Sequence, residues 1–109
     1  MKYYRIKSIL HSGRKGERNT PRTDGRYPLR IGRIIELNDD IKNGDIISSM
    51  PFTLKYVKDE NENDYRGYYL QTSRVVDWDF VYDNVIRIET YNSIYELERV
   101  DEYEVDIDG

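Results

Sequence analysis

The chain has 109 residues, enough for one domain with one core. Its 13% aromatic content, mostly tyrosine, is too high for a disordered chain. It contains no cysteine and a single histidine, His11, so a disulfide framework, a thiolate zinc site and a histidine-based metal centre are excluded. We therefore expect one β-rich domain over residues 1–109 that uses no metal or cofactor.

No apolar run approaches the ~20 residues that a membrane-spanning helix needs. The first residues, Met1 to Arg5, also lack the apolar region of a signal peptide. These features predict a cytoplasmic protein with no membrane partner.

Charge is distributed unevenly along the chain. Residues 1–33 have a net charge of +8, whereas residues 34–109 have a net charge of −12. This asymmetry predicts an anionic partner for the first third or head-to-tail self-association. Alternatively, the two parts neutralise each other within one fold. The acidic remainder argues against binding of polymeric nucleic acid, because it would repel a phosphate backbone.

The first third of the chain predicts one strand and one long loop. Residues 2–10 have the apolar pattern of a strand. Residues 11–29 predict a long basic loop, since residues 11–27 contain three glycines, five basic residues and one large apolar group. Burial cannot order such a segment, so we expect it to become ordered on binding or assembly.

The rest of the chain predicts short strands separated by turns. Strands are expected at residues 30–37, 52–57, 68–80, 86–90 and 95–100, with a bulge near residues 73–75 and a mobile acidic tail over residues 101–109. The fold is therefore predicted to be mainly β, a small antiparallel barrel or Greek-key sheet with a long basic loop. The predicted core consists of Ile6, Ile34, Leu54, Leu70, Val76, Ile86, Ile88 and Leu97.

The sequence contains no P-loop, no nucleophile elbow, no His-Glu-x-x-His motif and no EF-hand loop. Its carboxylates are mostly in acidic turns, whereas catalytic carboxylates need burial to shift their pKa values. We therefore expect a binding protein, not an enzyme.

Three elements have the chemistry to recognise a nucleotide. Gly25 allows close approach of the backbone, and Arg26 and Arg30 can present guanidinium groups to a pyrophosphate. An aromatic ring among Trp78, Phe80 and Tyr82 could stack on a base, and the amide of Asn92 could pair with an adenine edge. Each has a simpler interpretation: an ion pair for Arg30, a core position for Phe80 and a turn position for Asn92.

Three segments of the sequence resemble a known protein family. They are residues 24–32 (DGRYPLRIG), 72–75 (TSRV) and 90–98 (TYNSIYELE). The resemblance is to the first-described group of phage Thoeris anti-defence proteins. Members of that group are sponges that capture cyclic ADP-ribose signals made by bacterial TIR-domain enzymes without cleaving them. Some also hold cyclic oligonucleotides of the related CBASS defence at a second site.

The resemblance implies roles for particular residues. Arg30 and Asn92 would hold cyclic ADP-ribose together with an aromatic ring, Tyr82 or its alternate Phe80. Gly25 and Arg26 would belong to the oligonucleotide site. Only Arg99 is available for a further family arginine, and it lies too close to Asn92 in sequence. The resemblance also implies action in the bacterial host cytosol and a homo-oligomer built from dimers, with a hexamer as the larger candidate.

A second function is left open by the sequence. The acidic part of the chain could mimic nucleic acid, as in a protein-binding inhibitor of a bacterial defence system of the anti-restriction or anti-CRISPR type. A third interpretation, binding of single-stranded nucleic acid by the basic loop, conflicts with the net charge of −12 over residues 34–109.

Overall fold

The computed structural model describes residues 2–38, 46 and 49–105. Six antiparallel strands form a closed barrel in which each strand pairs with its neighbour in sequence and the last strand pairs with the first. The strands are β1 (Lys2–His11), β2 (Ile34–Leu37), β3 (Pro51–Lys58), β4 (Tyr69–Tyr82), β5 (Val85–Thr90) and β6 (Ser93–Val100). The predicted mainly β fold is confirmed, and the strand order is that of an up-and-down barrel, not a Greek key.

The basic loop takes part in the pairing of β1. Strand β2 pairs with β1 only from Lys2 to Arg5. Beyond that point, the loop supplies the partners: the Ile6 amide donates to the Arg33 carbonyl, and the Arg22 amide donates to the Ile9 carbonyl, both at 2.9 Å. The loop is therefore attached to the barrel by its backbone, which satisfies the edge of β1 where β2 is absent.

The predicted core is mostly confirmed. Ile6, Ile34, Leu54, Ile86, Ile88 and Leu97 are all buried. Leu70 is half-buried and packs against the main cluster. Val76 was predicted in the core but its side chain is 57% exposed, and Val75 is buried in its place.

Val76 is exposed, and not in the core as predicted, because the pairing of β4 is irregular. The register of β4 against β5 shifts between Val75 and Asp77, and the register against β3 shifts between Pro51 and Thr53. Each shift moves the inward-facing position by one residue, because side chains alternate between the faces of a strand. The sequence predicted one irregularity, near residues 73–75. The second one, between Val75 and Asp77, returns the inward-facing positions to their earlier alternation.

Strand β2 is shorter than predicted. Of its expected first residues, Arg30 ends a 3-10 helix over Tyr27–Arg30 that has Pro28 in its first turn, and residues 31–33 form the turn before the strand. Gly32 follows with a φ of +95°, a conformation that favours glycine and turns the chain into the strand. Arg30 therefore lies at the end of a helical turn on the barrel and not within a strand.

The first residues of the acidic tail are docked on the barrel. Glu102–Val105 form a second 3-10 helix, and Val105 is buried in a small cluster with Ile34, Val57 and Val100. The prediction of a mobile tail is thus wrong for residues 102–105, because one apolar side chain anchors them. Residues 106–109 lie outside the described residues. No helix in the described part of the chain is long and apolar enough to cross a membrane.

The basic loop is fixed by the buried side chain of Arg22. Its guanidinium donates to both carboxylate oxygens of Asp24, to the Ser93 hydroxyl at 2.8 Å and to the Asn92 carbonyl at 3.3 Å. It also lies 3.9 Å from the centre of the Tyr27 ring. Hydrogen bonds donated by a buried cation therefore hold the loop in place, together with its backbone bonds to the barrel and the packing of Tyr27 against the core.

We predict that Arg22→Met lowers the free energy of unfolding by about 2–3 kcal/mol, because it removes the charged hydrogen bonds to Asp24, to the Ser93 hydroxyl and to the Asn92 carbonyl. Chemical denaturation measures the effect. The matched control is Arg26→Met, which removes an exposed arginine of the same loop and should change stability by less than about 0.5 kcal/mol. Equal effects of the two substitutions would contradict the anchoring role.

The Arg22–Asp24 pair also predicts a dependence on pH. Hydrogen bonds from Arg22 lower the pKa of the Asp24 carboxyl from 3.8 to about 2. A folded-state pKa below the unfolded value means that the stabilisation is complete above about pH 4 and disappears as the pH falls through about 2. The difference in melting temperature between the wild type and Asp24→Asn should therefore shrink over that interval. In an Arg22→Met background, the same substitution should show no such trend.

Candidate functional site

A cavity of about 180 Å³ opens at one end of the barrel. It lies between the first 3-10 helix, the end of β3, the β3–β4 connection and the start of β4. We call it the barrel-end cavity. Its lining consists of Arg26, Arg30, Arg33, Tyr56, Tyr65, Tyr68, Tyr69 and Leu70. Three arginines and four tyrosines thus meet around one opening, although the first tyrosine is separated from the first arginine by 30 positions.

The tyrosines form a continuous aromatic wall. The rings of Tyr65 and Tyr68 stack with their centres 4.6 Å apart, and the Tyr56 ring is tilted against Tyr65 at 5.2 Å. The Arg33 guanidinium lies 5.1 Å from the centre of Tyr56 and 5.0 Å from that of Tyr65. Tyr68 and Tyr69 are 62% and 67% exposed, so their rings are accessible to a ligand.

The three arginines differ in what they already bind. Arg33 donates from Nε to Glu60 at 2.7 Å, a contact that lowers the pKa of the Glu60 carboxyl. Arg30 lies over the Tyr27 ring at 4.8 Å. Within the described residues, the side chains of Arg26 and Arg30 form no ion pair or hydrogen bond. Their ten guanidinium N–H donors are therefore available for an anion.

The hydroxyl of Tyr56 lacks a partner at the cavity. Tyr56 is 4% exposed, and its hydroxyl is buried without a hydrogen bond. Burial raises the pKa of Tyr56, and a side-chain contact with Arg33 partly offsets that increase. That contact does not meet the distance and angle of a hydrogen bond. An unpaired buried hydroxyl costs about 1–3 kcal/mol, and a ligand group in the cavity would remove that cost.

Two of the predicted phosphate-binding residues are brought together. Arg26 and Arg30, which the resemblance assigns to different sites, line the same cavity. Gly25 precedes them with a φ of +55° and open space around its Cα. Its backbone conformation therefore accounts for the glycine, whereas no close approach of another group is present in the single chain.

Asn92 is connected to this region without lining the cavity. It lies in the turn between β5 and β6, where its backbone N–H donates to the Ser73 hydroxyl at 3.0 Å. Its carbonyl accepts from Arg22, and Arg22 stacks on Tyr27, which also contacts Arg30. Arg30 and Asn92 thus share an end of the barrel through two intervening side chains.

Phe80 and Tyr82 lie elsewhere in the single chain. They pair with Ile86 and Val85 at the start of β5, whereas Asn92 follows the end of that strand. Six strand residues separate the two positions by about 20 Å. Phe80 is 39% exposed and Tyr82 is 70% exposed, so Phe80 is not a core residue either. One chain does not combine these rings with Asn92, and a shared site between subunits stays a prediction.

Sequence reasoning did not identify the tyrosines of the cavity or Arg33. Tyr56 and Tyr68 fall in predicted strands, and in the segment 65–69 (YRGYY) residues 65–67 belong to no predicted element. The density of tyrosine in that short stretch, next to Gly67 with its φ of +93°, was the available signal. Their convergence with Arg30 depends on the barrel closing, which local patterns do not show.

Comparison with known proteins gives no further assignment: no protein-family profile, no curated protein and no solved structure matches this chain. Among residues 2–38, 46 and 49–105, no group of three His, Asp or Glu side chains is placed to hold a metal ion. The candidate site thus rests on the cations and aromatic rings of the barrel-end cavity.

We predict that Tyr56→Phe leaves the free energy of unfolding unchanged or raises it by up to about 1 kcal/mol, because it removes an unpaired buried hydroxyl. Tyr95→Phe is the matched control. Tyr95 is also buried, but its hydroxyl interacts with Ser93, so its loss should be destabilising by about 1 kcal/mol. Chemical denaturation measures both, and a clear loss of stability for Tyr56→Phe would show that the hydroxyl is paired.

Proposed function

We propose that this protein binds a phosphorylated, base-bearing small molecule at the barrel-end cavity and sequesters it without cleaving it. Cyclic nucleotide immune signals are the proposed ligand class, with cyclic ADP-ribose isomers first and cyclic oligonucleotides second. The observation that carries the proposal is the meeting of uncommitted Arg26 and Arg30 with an unpaired, buried Tyr56 hydroxyl.

The chemistry of the cavity suits such a ligand. Guanidinium groups bind phosphate oxygens through paired, charge-assisted hydrogen bonds. The exposed ring of Tyr68 or Tyr69 offers a face on which a base can stack, which contributes about 1–3 kcal/mol for each base. The Tyr56 hydroxyl supplies a further hydrogen bond inside the cavity. Together these groups bind phosphate and base without a nucleophile or metal.

The resemblance to the phage sponge family supports the choice of ligand. Arg30 is the residue on which that resemblance and the cavity agree, because the family pattern assigns it to the cyclic ADP-ribose site. Asn92 and the aromatic residues Phe80 and Tyr82 belong to the same proposed site only if a second subunit brings them to Arg30. Arg26 and Gly25 would then contact either the same ligand or an oligonucleotide beside it.

Titration calorimetry with cyclic ADP-ribose isomers tests the proposal. We expect binding to the wild type, and an affinity loss of about 1.5–3 kcal/mol for Arg30→Ala, the size of a charged hydrogen bond. Lys7→Ala, which removes an exposed cation outside the cavity and outside the segments that carry the resemblance, is the control and should bind normally. Heating the complex should release chemically intact ligand, since sequestration involves no cleavage.

Two further variants distinguish the cavity from the site implied by the resemblance. Tyr68→Ala should weaken binding if the cavity holds the base, whereas Tyr82→Ala should weaken it if the base stacks at a subunit interface. A folded wild-type protein that gives no heat with micromolar ligand would contradict the proposed function. Cleaved ligand after heating would contradict the sequestration mechanism.

Self-association belongs to the proposed function. Besides Tyr68 and Tyr69, the exposed large side chains include Tyr82 and Tyr91, and tyrosine is favoured at interfaces because its ring is apolar and its hydroxyl polar. A dimer-based oligomer would enclose a ligand that one chain leaves open. Light scattering tests this, and a monomer at high protein concentration and moderate salt would contradict it.

The second candidate function is a protein-binding inhibitor, and the surface of β4 favours it. Exposed Asp77 and Asp79 lie beside Val76, Phe80 and Val81, which are also exposed. An acidic surface with apolar side chains suits a basic protein partner. Salt should weaken such binding, as it should weaken binding of a phosphate, but Arg30→Ala should leave it unaffected, the reverse of the nucleotide proposal.

A further inference from the structure

A groove of about 570 Å³ adjoins the barrel-end cavity on the outer surface of β2, β3 and β4. Tyr56, Tyr68 and Tyr69 line both the cavity and the groove, so the two spaces meet at the aromatic wall. We call the second space the outer groove. It is the larger of the two, and a ligand seated on the exposed tyrosine rings would extend into it.

The outer groove has its own cations. Lys55 and Arg66 line it, both are exposed, and neither side chain forms an ion pair or hydrogen bond within the described part of the chain. The turn that carries Arg66 is fixed in two ways. The backbone N–H of Arg66 donates to the Asp64 carboxylate at 3.0 Å, and the backbones of Asp64 and Lys58 form an antiparallel β-bridge. Arg66 is therefore held at the groove by its backbone while its guanidinium stays available.

We infer that the site holds a ligand with two separate phosphate groups, one on each side of a stacked base. Arg26 and Arg30 would bind the first phosphate in the cavity, the Tyr68–Tyr69 pair would stack on the base, and Lys55 and Arg66 would bind the second phosphate in the outer groove. This inference rests on the proposed function. Within that function it favours linked nucleotides such as cyclic oligonucleotides, whose phosphates are separate, over cyclic ADP-ribose, whose two phosphates are joined in one pyrophosphate.

Glu36 limits the strength of the second phosphate site. It lines the outer groove and lies opposite Lys55 in the register of β2 and β3. A carboxylate repels a phosphate, so Glu36 lowers the affinity of the outer groove for the second phosphate. It does not line the barrel-end cavity, so binding of the first phosphate is unaffected. This gives the inference a variant that should strengthen binding as well as one that should weaken it.

The test compares adenosine 3′,5′-bisphosphate with adenosine 5′-monophosphate by calorimetry at constant salt. The wild type should bind the bisphosphate about tenfold or more tightly, the effect of added charged hydrogen bonds. The Lys55→Ser/Arg66→Ser variant should reduce that preference to about twofold while keeping its affinity for the monophosphate. Glu36→Gln should increase the preference by about threefold.

The Lys7→Ser/Lys15→Ser variant is the matched control, because it removes the same charge from exposed positions outside the cavity and groove. It should keep the preference of the wild type. An equal loss in control and groove variants would overturn the inference, and so would equal wild-type affinities for the two nucleotides. If neither adenosine phosphate binds while cyclic ADP-ribose does, the inference fails alone. If none of the three binds, the proposed function fails with it.

Discussion

The position of the candidate site depends on the hydrogen bonds that the buried guanidinium of Arg22 donates. This guanidinium joins Asp24 and Tyr27 in the basic loop to Ser93 and Asn92 at the turn between β5 and β6. Tyr27 begins the 3-10 helix that ends at Arg30, so the position of Arg22 fixes the arginine that we propose binds phosphate. A buried charge is tolerated only when it is well paired. The Arg22 guanidinium is paired with the Asp24 carboxylate in the loop, and with the Ser93 hydroxyl and the Asn92 backbone carbonyl at the turn. A loop with little apolar content can therefore present its cations at a defined place.

The charge asymmetry of the sequence is used in two ways within the fold. Part of it is neutralised internally: Arg18 forms a two-bond ion pair with Glu89, and Arg33 pairs with Glu60. Arg26 and Arg30 have no such partner among the described residues. Internal neutralisation thus applies to Arg18 and Arg33, whereas attraction of an anion is the proposal for Arg26 and Arg30. Which one applies is decided by the distance of each arginine from the acidic strands and turns, a property of the folded chain.

The strands were predictable because their signal is local. Alternation of apolar residues located β1, β3, β5 and β6 to within a few residues, and it identified most of the core. It failed at β4, where two register shifts reverse the inward face and expose Val76. For the site, the sequence identified Arg26 and Arg30 through their chemistry, and it grouped Arg30 with Asn92 and with an aromatic ring, Tyr82 or Phe80. Within one chain, Arg30 and Asn92 share an end of the barrel, whereas Phe80 and Tyr82 lie at the far end of β5 from Asn92. Position along a strand decides which end of the barrel a residue occupies, and that position depends on topology and register that composition does not encode.

The size and rigidity of the barrel-end cavity set what it can bind. Its volume of about 180 Å³ is below the about 300–1,000 Å³ of most small-molecule sites, so a nucleotide must extend beyond it, into the outer groove or against a second subunit. The wall that receives it is already ordered. Asp59 accepts hydrogen bonds from the amides of Asn61 and Asn63, and the Tyr56 and Tyr65 amides bond to the Tyr68 and Val57 carbonyls. A preformed aromatic wall loses little conformational freedom on binding. A modest enclosed volume can then still give useful affinity, because less of the interaction energy is spent on ordering the protein.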